Sequence, residues 1–215
     1  MDSVMEKEIK HTIDWNRMPE KSALEETMSA LKERNFNPLF VADRRVALQK
    51  IQQMIPPGAE VMTGSSTTLE EIGFIDLLSS GRHTWRNWKD RILPEHDPGK
   101  QADLRRQSTT SEYFLGSVQA IAQTGQVLGA DASGSRQGGY VFSAKKVIWV
   151  VGANKLVPTF ELAMRRLIEH AMPLEDQRMK KAGFPGTFLG KVVTYEKEFI
   201  PDRITTMIVG EALGF

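Results

Sequence analysis

The sequence predicts an α/β fold built on a mostly parallel sheet, and three observations carry that expectation. The run Val147-Ile-Trp-Val-Val151 is apolar throughout, as a strand covered on both faces must be. Strand-type and helix-type segments alternate between Asn37 and Ser79, the pattern of a sheet whose strands are joined by helices. The chain has 215 residues and is 40% apolar, enough to bury one substantial core.

Taken in order, the segment 22–34 places Ala23, Leu24, Met28 and Leu31 at helical spacing, with Asn35 as its stop. Asn37-Pro38 forces extended geometry, so Phe40-Val41 reads as a first strand. Asp43 is a good N-cap for a helix over 44–54 that buries Val46, Leu48, Ile51 and Ile55. A second strand is expected over 59–62. The hydroxyl-rich turn Thr63-Gly-Ser-Ser-Thr-Thr68 then feeds a helix over 68–78, started by a capping box of Thr67 with Glu70 or Thr68 with Glu71. The polar region 81–107 reads as two helical pieces broken near 94–99, with Trp85 and Trp88 packing on the domain or on a partner. Val118–Ala122 and Gln126–Ala130 flank Thr124-Gly125 as a hairpin. Pro158 opens a helix that Pro173 ends, a short helix follows over 174–181, and strands close the chain at 192–195 and 204–209.

Charge and composition exclude several functions. With 28 basic and 27 acidic residues the net charge is +1, and no global field favours nucleic acid or an anionic membrane. Acidic residues dilute the basic and aromatic ones in 81–107, which argues against a nucleic-acid groove. The absence of cysteine removes disulfides, thiolate metal sites and a cysteine nucleophile. His83 and His96 lack the close spacing of a metal pair. The charged start and the lack of a long apolar segment make a cytoplasmic protein the expectation, with neither membrane nor nucleic-acid partner. Residues 183–191 superficially resemble a phosphate loop, but Pro185 and Val192 occupy positions that need glycine and a hydroxyl.

Candidate site residues cluster in polar, glycine-dense loops. Gly64, Ser65, Ser66, Thr67 and Thr68 precede a helix start, where unpaired N–H groups hold a phosphate or carboxylate; the alternative is that the hydroxyls only cap the helix. Asp131 and Arg136 share a loop with Gly134, Gly138 and Gly139, whose backbone is free to approach a ligand closely. Asn154-Lys155 follows the apolar strand at its carboxyl end, where ligands collect in open α/β sheets. Glu112, beside Tyr113-Phe114, is a candidate acid or base if desolvation raises its pKa. Asp131 pairing with Arg136 as a structural ion pair, and Lys155 as a solvated capping cation, are the competing readings.

A series of matches runs through the same residues: Ser117, Ala120-Ile121, Gly125, Asp131, Gly134, Arg136, Lys146-Val147-Ile148, Val150-Val151-Gly152 and Asn154-Lys155. With Thr63–Gly73 and the tail Ile208–Gly214, this pattern resembles the LUD domain, the lactate-utilisation family that includes LutC-like proteins, across most of Asn37 to Phe215. The resemblance implies a fold similar to the NagB, ribose-phosphate isomerase and CoA-transferase group. That is a three-layer Rossmann-like α/β domain over 37–215, with helices on both faces of a mostly parallel sheet, a β-hairpin and an N-terminal helical extension over 1–36. In the similar isomerases a Gly-Ala-Asp segment frames the substrate, and Gly129-Ala130-Asp131 stands in a comparable place. By that analogy Asp131 orients a hydroxyl or shuttles a proton, Arg136 fixes an acidic group and Lys155 stabilises an enolate-like charge.

The expectation is a metal-free, cofactor-free isomerase, transferase or hydrolase acting on a small anionic metabolite: a hydroxy or keto acid, a sugar phosphate or an acyl thioester. From a different class comes a non-catalytic accessory subunit or metabolite-sensing module of a redox system, since LutC-like proteins travel with iron–sulfur oxidoreductases. Many LUD proteins resemble one another in a cysteine-containing segment near 183–191 that this chain lacks, a departure that weakens any redox or metal-linked role the resemblance would carry over. A homodimer, through the N-terminal helix and the tryptophans, is the expected assembly.

Overall fold

The computed structural model describes residues 13–215, and the first twelve residues of the expected extension lie outside them. Helix α1 (Lys21–Glu33) leads through a turn into β1 (Pro38–Val41), α2 (Arg44–Met54) and β2 (Glu60–Thr63). Next come α3 (Thr67–Glu71), α4 (Phe74–Ser79), β3 (Arg86–Asn87), α5 (Lys89–Ile92) and α6 (Pro98–Ser108). The middle of the chain forms β4 (Tyr113–Gly116), β5 (Ala120–Ala122), β6 (Val127–Asp131), α7 (Ser135–Gly138), β7 (Lys146–Gly152) and β8 (Leu156–Val157). Helices α8 (Phe160–Arg166) and α9 (Met172–Lys181) precede β9 (Lys191–Tyr195) and β10 (Ile204–Val209).

Six strands form a wholly parallel sheet in the order β1-β10-β7-β4-β2-β3. β7 lies near its centre, and the period of two explains its unbroken apolar run. Ile148 and Val150 face the core under α2, α3 and α4, while Val147, Trp149 and Val151 face the opposite core. Trp149 is fully buried there, with ring centroids 5.7 Å from Phe36, 5.8 Å from Tyr140 and 4.9 Å from Tyr195. That second face is covered by α1 and a smaller sheet, β8-β5-β6-β9, whose outer side packs on α8. The hairpin forms as the sequence predicts, pairing Ala120 with Leu128 and Ile121 with Val127 around Gly125 at φ 87°.

Several local expectations change. Val46 is exposed, and Ala47 and Ile51 supply the buried side of α2. The helix expected over 68–78 is two short helices, because Gly73 adopts φ 78° and ends the first. Its cap is Ser66, whose hydroxyl accepts from the Leu69 N–H at 3.3 Å, and neither threonine of the expected capping box serves. Pro173 does not end the helix either. A π-helical turn at Leu167–Ala171 joins α8 to α9 and accommodates the residue that has no N–H to give, leaving Pro173 in the first turn of α9. Trp85 donates its indole N–H to the Ile55 carbonyl at 3.1 Å and packs on Phe74, while Trp88 lies under the Arg91 guanidinium; both are buried in this chain's own core. No helix among the described residues is long and apolar enough to cross a membrane.

Candidate functional site

One cleft of about 430 Å³ opens at the carboxyl ends of the parallel strands. Ser65–Thr68 reach it from the end of β2, Ser117 from β4, Lys155 from β7 and Phe215 from the segment after β10. The small sheet brings Ala130 and Asp131, and α7 brings Arg136.

Lys155 forms the floor. It is 2% exposed, and its Nζ donates to Thr68 Oγ1 and Ser117 Oγ, each at 3.1 Å. Burial pushes its pKa well below the ordinary 10.5, the Arg166 and Arg136 guanidinia push the same way, and Glu71 alone opposes them. Two hydroxyl oxygens accept from it, and no carboxylate among the described residues pairs with it. The tail closes on it tightly: a Cβ at Gly214, where φ is 60°, would stand 2.9 Å from Nζ and 2.3 Å from Thr68 Oγ1. Lys155 is therefore no solvated capping cation.

Asp131 and Arg136 do pair, and the pair does structural work. Arg136 Nε and Nη2 donate to Asp131 Oδ1 at 3.2 and 3.1 Å, Nη2 also to the Ala130 carbonyl at 2.8 Å, and Nη1 to the Ser65 carbonyl at 3.2 Å. The Arg136 backbone N–H caps Asp131 Oδ2 at 3.0 Å. This guanidinium thus ties the small sheet to the β2 turn and keeps few donors for a ligand. Gly64 makes room for it, since a Cβ there would fall 2.2 Å from Arg136 Cδ.

The remaining predicted residues divide differently. Gly134, Gly138 and Gly139 do not line the cleft. Gly134 adopts φ 87° against the Lys191 stem, and Gly139 lies on the Phe114 ring, where a Cβ would come within 2.4 Å. Asn154 serves the tail, accepting from the Leu213 N–H at 3.1 Å. Glu112 sits at the amino end of β4, accepts from the Glu60 N–H at 2.8 Å and faces Lys145 and Arg86; that backbone hydrogen bond first, and the two cations after it, hold its pKa below the usual range, against the rise expected from its aromatic neighbours. Glu112→Gln is accordingly expected to leave ligand affinity in the cleft unchanged, as titration calorimetry would register.

Two cations escape the sequence reading. Arg178 of α9 grips Glu175 through Nε and Nη2, both at 2.7 Å, and donates to Ser65 Oγ at 3.1 Å; Nη1 has no partner among the described residues. Arg105 lines the cleft from α6 with no ion-pair partner among them. Neither carries a local signal, because each is one more arginine on a polar helix face. Four basic side chains thus meet two side-chain carboxylates, both already paired. The β2 turn contributes hydroxyls more than a dipole, since α3 spans only five residues. Removing the cap with Ser66→Ala is expected to lower stability by about 1 kcal/mol, read from chemical denaturation.

Fold and cleft together define a Rossmann-like α/β protein with a polar cavity at its strand ends. The LUD domain family model matches residues 24–185, and the chain belongs to that family, which is associated with lactate utilisation. Among solved structures it is similar to a DUF162 family protein from Deinococcus radiodurans, with a TM-score of 0.55 and 10% identity over 90% of this chain and 100% of that one. At that identity the likeness speaks for the fold alone. No curated protein matches the chain.

Proposed function

We propose that the protein binds a small organic acid in this cleft and moves a proton on it, with Lys155 as the base. One observation carries the reading: an enclosed amine, held by two hydroxyls and touched by no carboxylate among the described residues, lines a cavity that Arg105 and Arg178 also line. Arg105 and the free Nη1 of Arg178 are placed to receive the carboxylate, and the Asp131–Arg136 pair positions the walls. A carbon acid next to a carbonyl, as in a 2-oxo acid, loses its proton to the Lys155 lone pair. The conjugate ammonium returns the proton to the same carbon or, where that carbon bears a hydroxyl so that an enediolate forms, delivers it to the neighbouring carbon while the hydroxyl proton passes to the adjacent oxygen, as an isomerase requires.

The test is solvent deuterium uptake at C3 of 2-oxo acids, followed by proton NMR. The wild type is expected to exceed the buffer rate, and Lys155→Met to lose about 10²–10⁴-fold. Equal uptake with both proteins overturns the reading.

A second reading, an accessory subunit, is favoured by a separate observation. Val141, Phe142, Phe199 and Ile200 are exposed around a shallow cavity of about 350 Å³ away from the cleft, the kind of patch that a second copy or a redox partner would cover. If a second copy covers it, sedimentation is expected to show a dimer that Phe142→Ser weakens. A monomer at every concentration removes the homodimer.

A further inference from the structure

The cleft has two unlike halves. Lys155, Thr68 and Ser117 make part of its lining polar, Leu167, Met172 and Met179 make another part apolar, and Phe184 and Phe188 also line it. Those two phenylalanines are 57% and 69% exposed, a large apolar surface left open to water at the rim of a cavity. Their segment is not a free loop. The Thr187 N–H donates to Asp176 Oδ1 at 2.9 Å, and Asp176 in turn pairs with Lys180 at 2.6 Å, so the segment is pinned to α9. Gly186 reaches φ 118° to make that turn, and a Cβ there would strike Asp176 Oδ1 at 2.3 Å.

The size of the cavity matters as well. A volume of about 430 Å³ lies within the range of sites that enclose ligands far larger than a three-carbon acid. Leu167, Met172 and Met179 offer no donor or acceptor to a sugar hydroxyl, although Gln119, Ser133 and Thr187 line the cavity elsewhere. A phosphate dianion, with three oxygens to satisfy, would find only Arg105 and the Nη1 edge of Arg178 free, the rest of the Arg136 and Arg178 forks being committed to carboxylates.

We infer that the ligand is an amphiphilic monocarboxylic acid, its carboxylate end over Lys155 and a hydrocarbon or aryl tail lying along Leu167, Met172 and Met179 beneath Phe184 and Phe188. This rests on the proposed reading of Lys155 and names the substrate class that the same site selects. Thioether side chains adapt to tails of different shape, so the wall sets length and apolarity more strictly than branching.

The test is calorimetric titration of the full chain with 2-oxo acids of increasing chain length, from pyruvate to 2-oxooctanoate, together with phenylpyruvate. Each added methylene is expected to tighten binding about fourfold until the wall is covered. In Phe188→Ser, a change at an exposed position, the gain per methylene is expected to fall below about twofold. If pyruvate binds and affinity is flat or declines with length, the amphiphile is overturned while the small-acid reading stands. If no member of the series binds, both are overturned.

Discussion

Lys155→Met is expected to make the protein more stable and to abolish proton transfer. The wild-type chain must give up a proton from Lys155 at neutral pH, or bury its charge, and a methionine of similar length does neither. Replacing a buried charged group with an apolar one of similar volume gains at least about 2 kcal/mol, which for a chain of this length raises the melting temperature by at least roughly 4 °C. The dependence on pH has a definite sign. The folded-state pKa of Lys155 is depressed, so the unfolded chain binds more protons between that value and the ordinary 10.5, and wild-type stability rises with pH across this window. The advantage of methionine is therefore full below the folded-state pKa and vanishes as pH passes the ordinary lysine value. Paired melting curves at neutral pH and at about pH 10.5 measure it. A variant that is both more stable and inactive is the signature of a group kept for function at the expense of folding.

Arg136→Met is expected to act the other way, lowering stability by about 3 kcal/mol in urea denaturation. The substitution leaves Asp131, whose side chain is 11% exposed, with the Arg136 backbone N–H as its remaining partner and no countercharge, and it strips donors from the Ala130 and Ser65 carbonyls. Arg136→Lys is expected to recover less than half of the loss. An ammonium is a compact point charge and cannot reach the three acceptors that the planar fork spans. Because the same guanidinium ties the β2 turn to the small sheet, acid binding is expected to weaken in both variants. A loss below about 0.5 kcal/mol would mean that the pair is no more than a surface ion pair.

Much of the fold is legible in local sequence because local physics decides it. The apolar period of β7, the Asp43 cap and the Gly125 turn each specify geometry within a few residues. Gly73 is equally local, but the helical spacing on both sides of it masks the break. The site is legible only in part. Ser65–Thr68, Asp131, Arg136 and Lys155 do meet in one cavity, as strand-end positions in a parallel sheet dictate. What sequence spacing cannot express is competition for donors: Arg136 has the right type and place for an anion, yet its own fold uses most of its hydrogens. Gly134 and Gly139 mislead for a related reason, since close approach of a side chain such as Phe114 demands a missing Cβ as strongly as a ligand does, while a Cβ at Gly138 would meet Thr109 only at ordinary contact distance. Arg178 and Arg105 enter only when α9 and α6 are folded over the strand ends.

The account turns on whether Lys155 is an uncharged amine at neutral pH. Titrating its Cε and Nζ resonances by heteronuclear NMR in selectively labelled protein answers this directly. The midpoint is expected well below 10.5, and a bound carboxylic acid is expected to move it upward, since an anion above the floor favours the ammonium. A midpoint near 10.5, unmoved by any acid, would contradict the account.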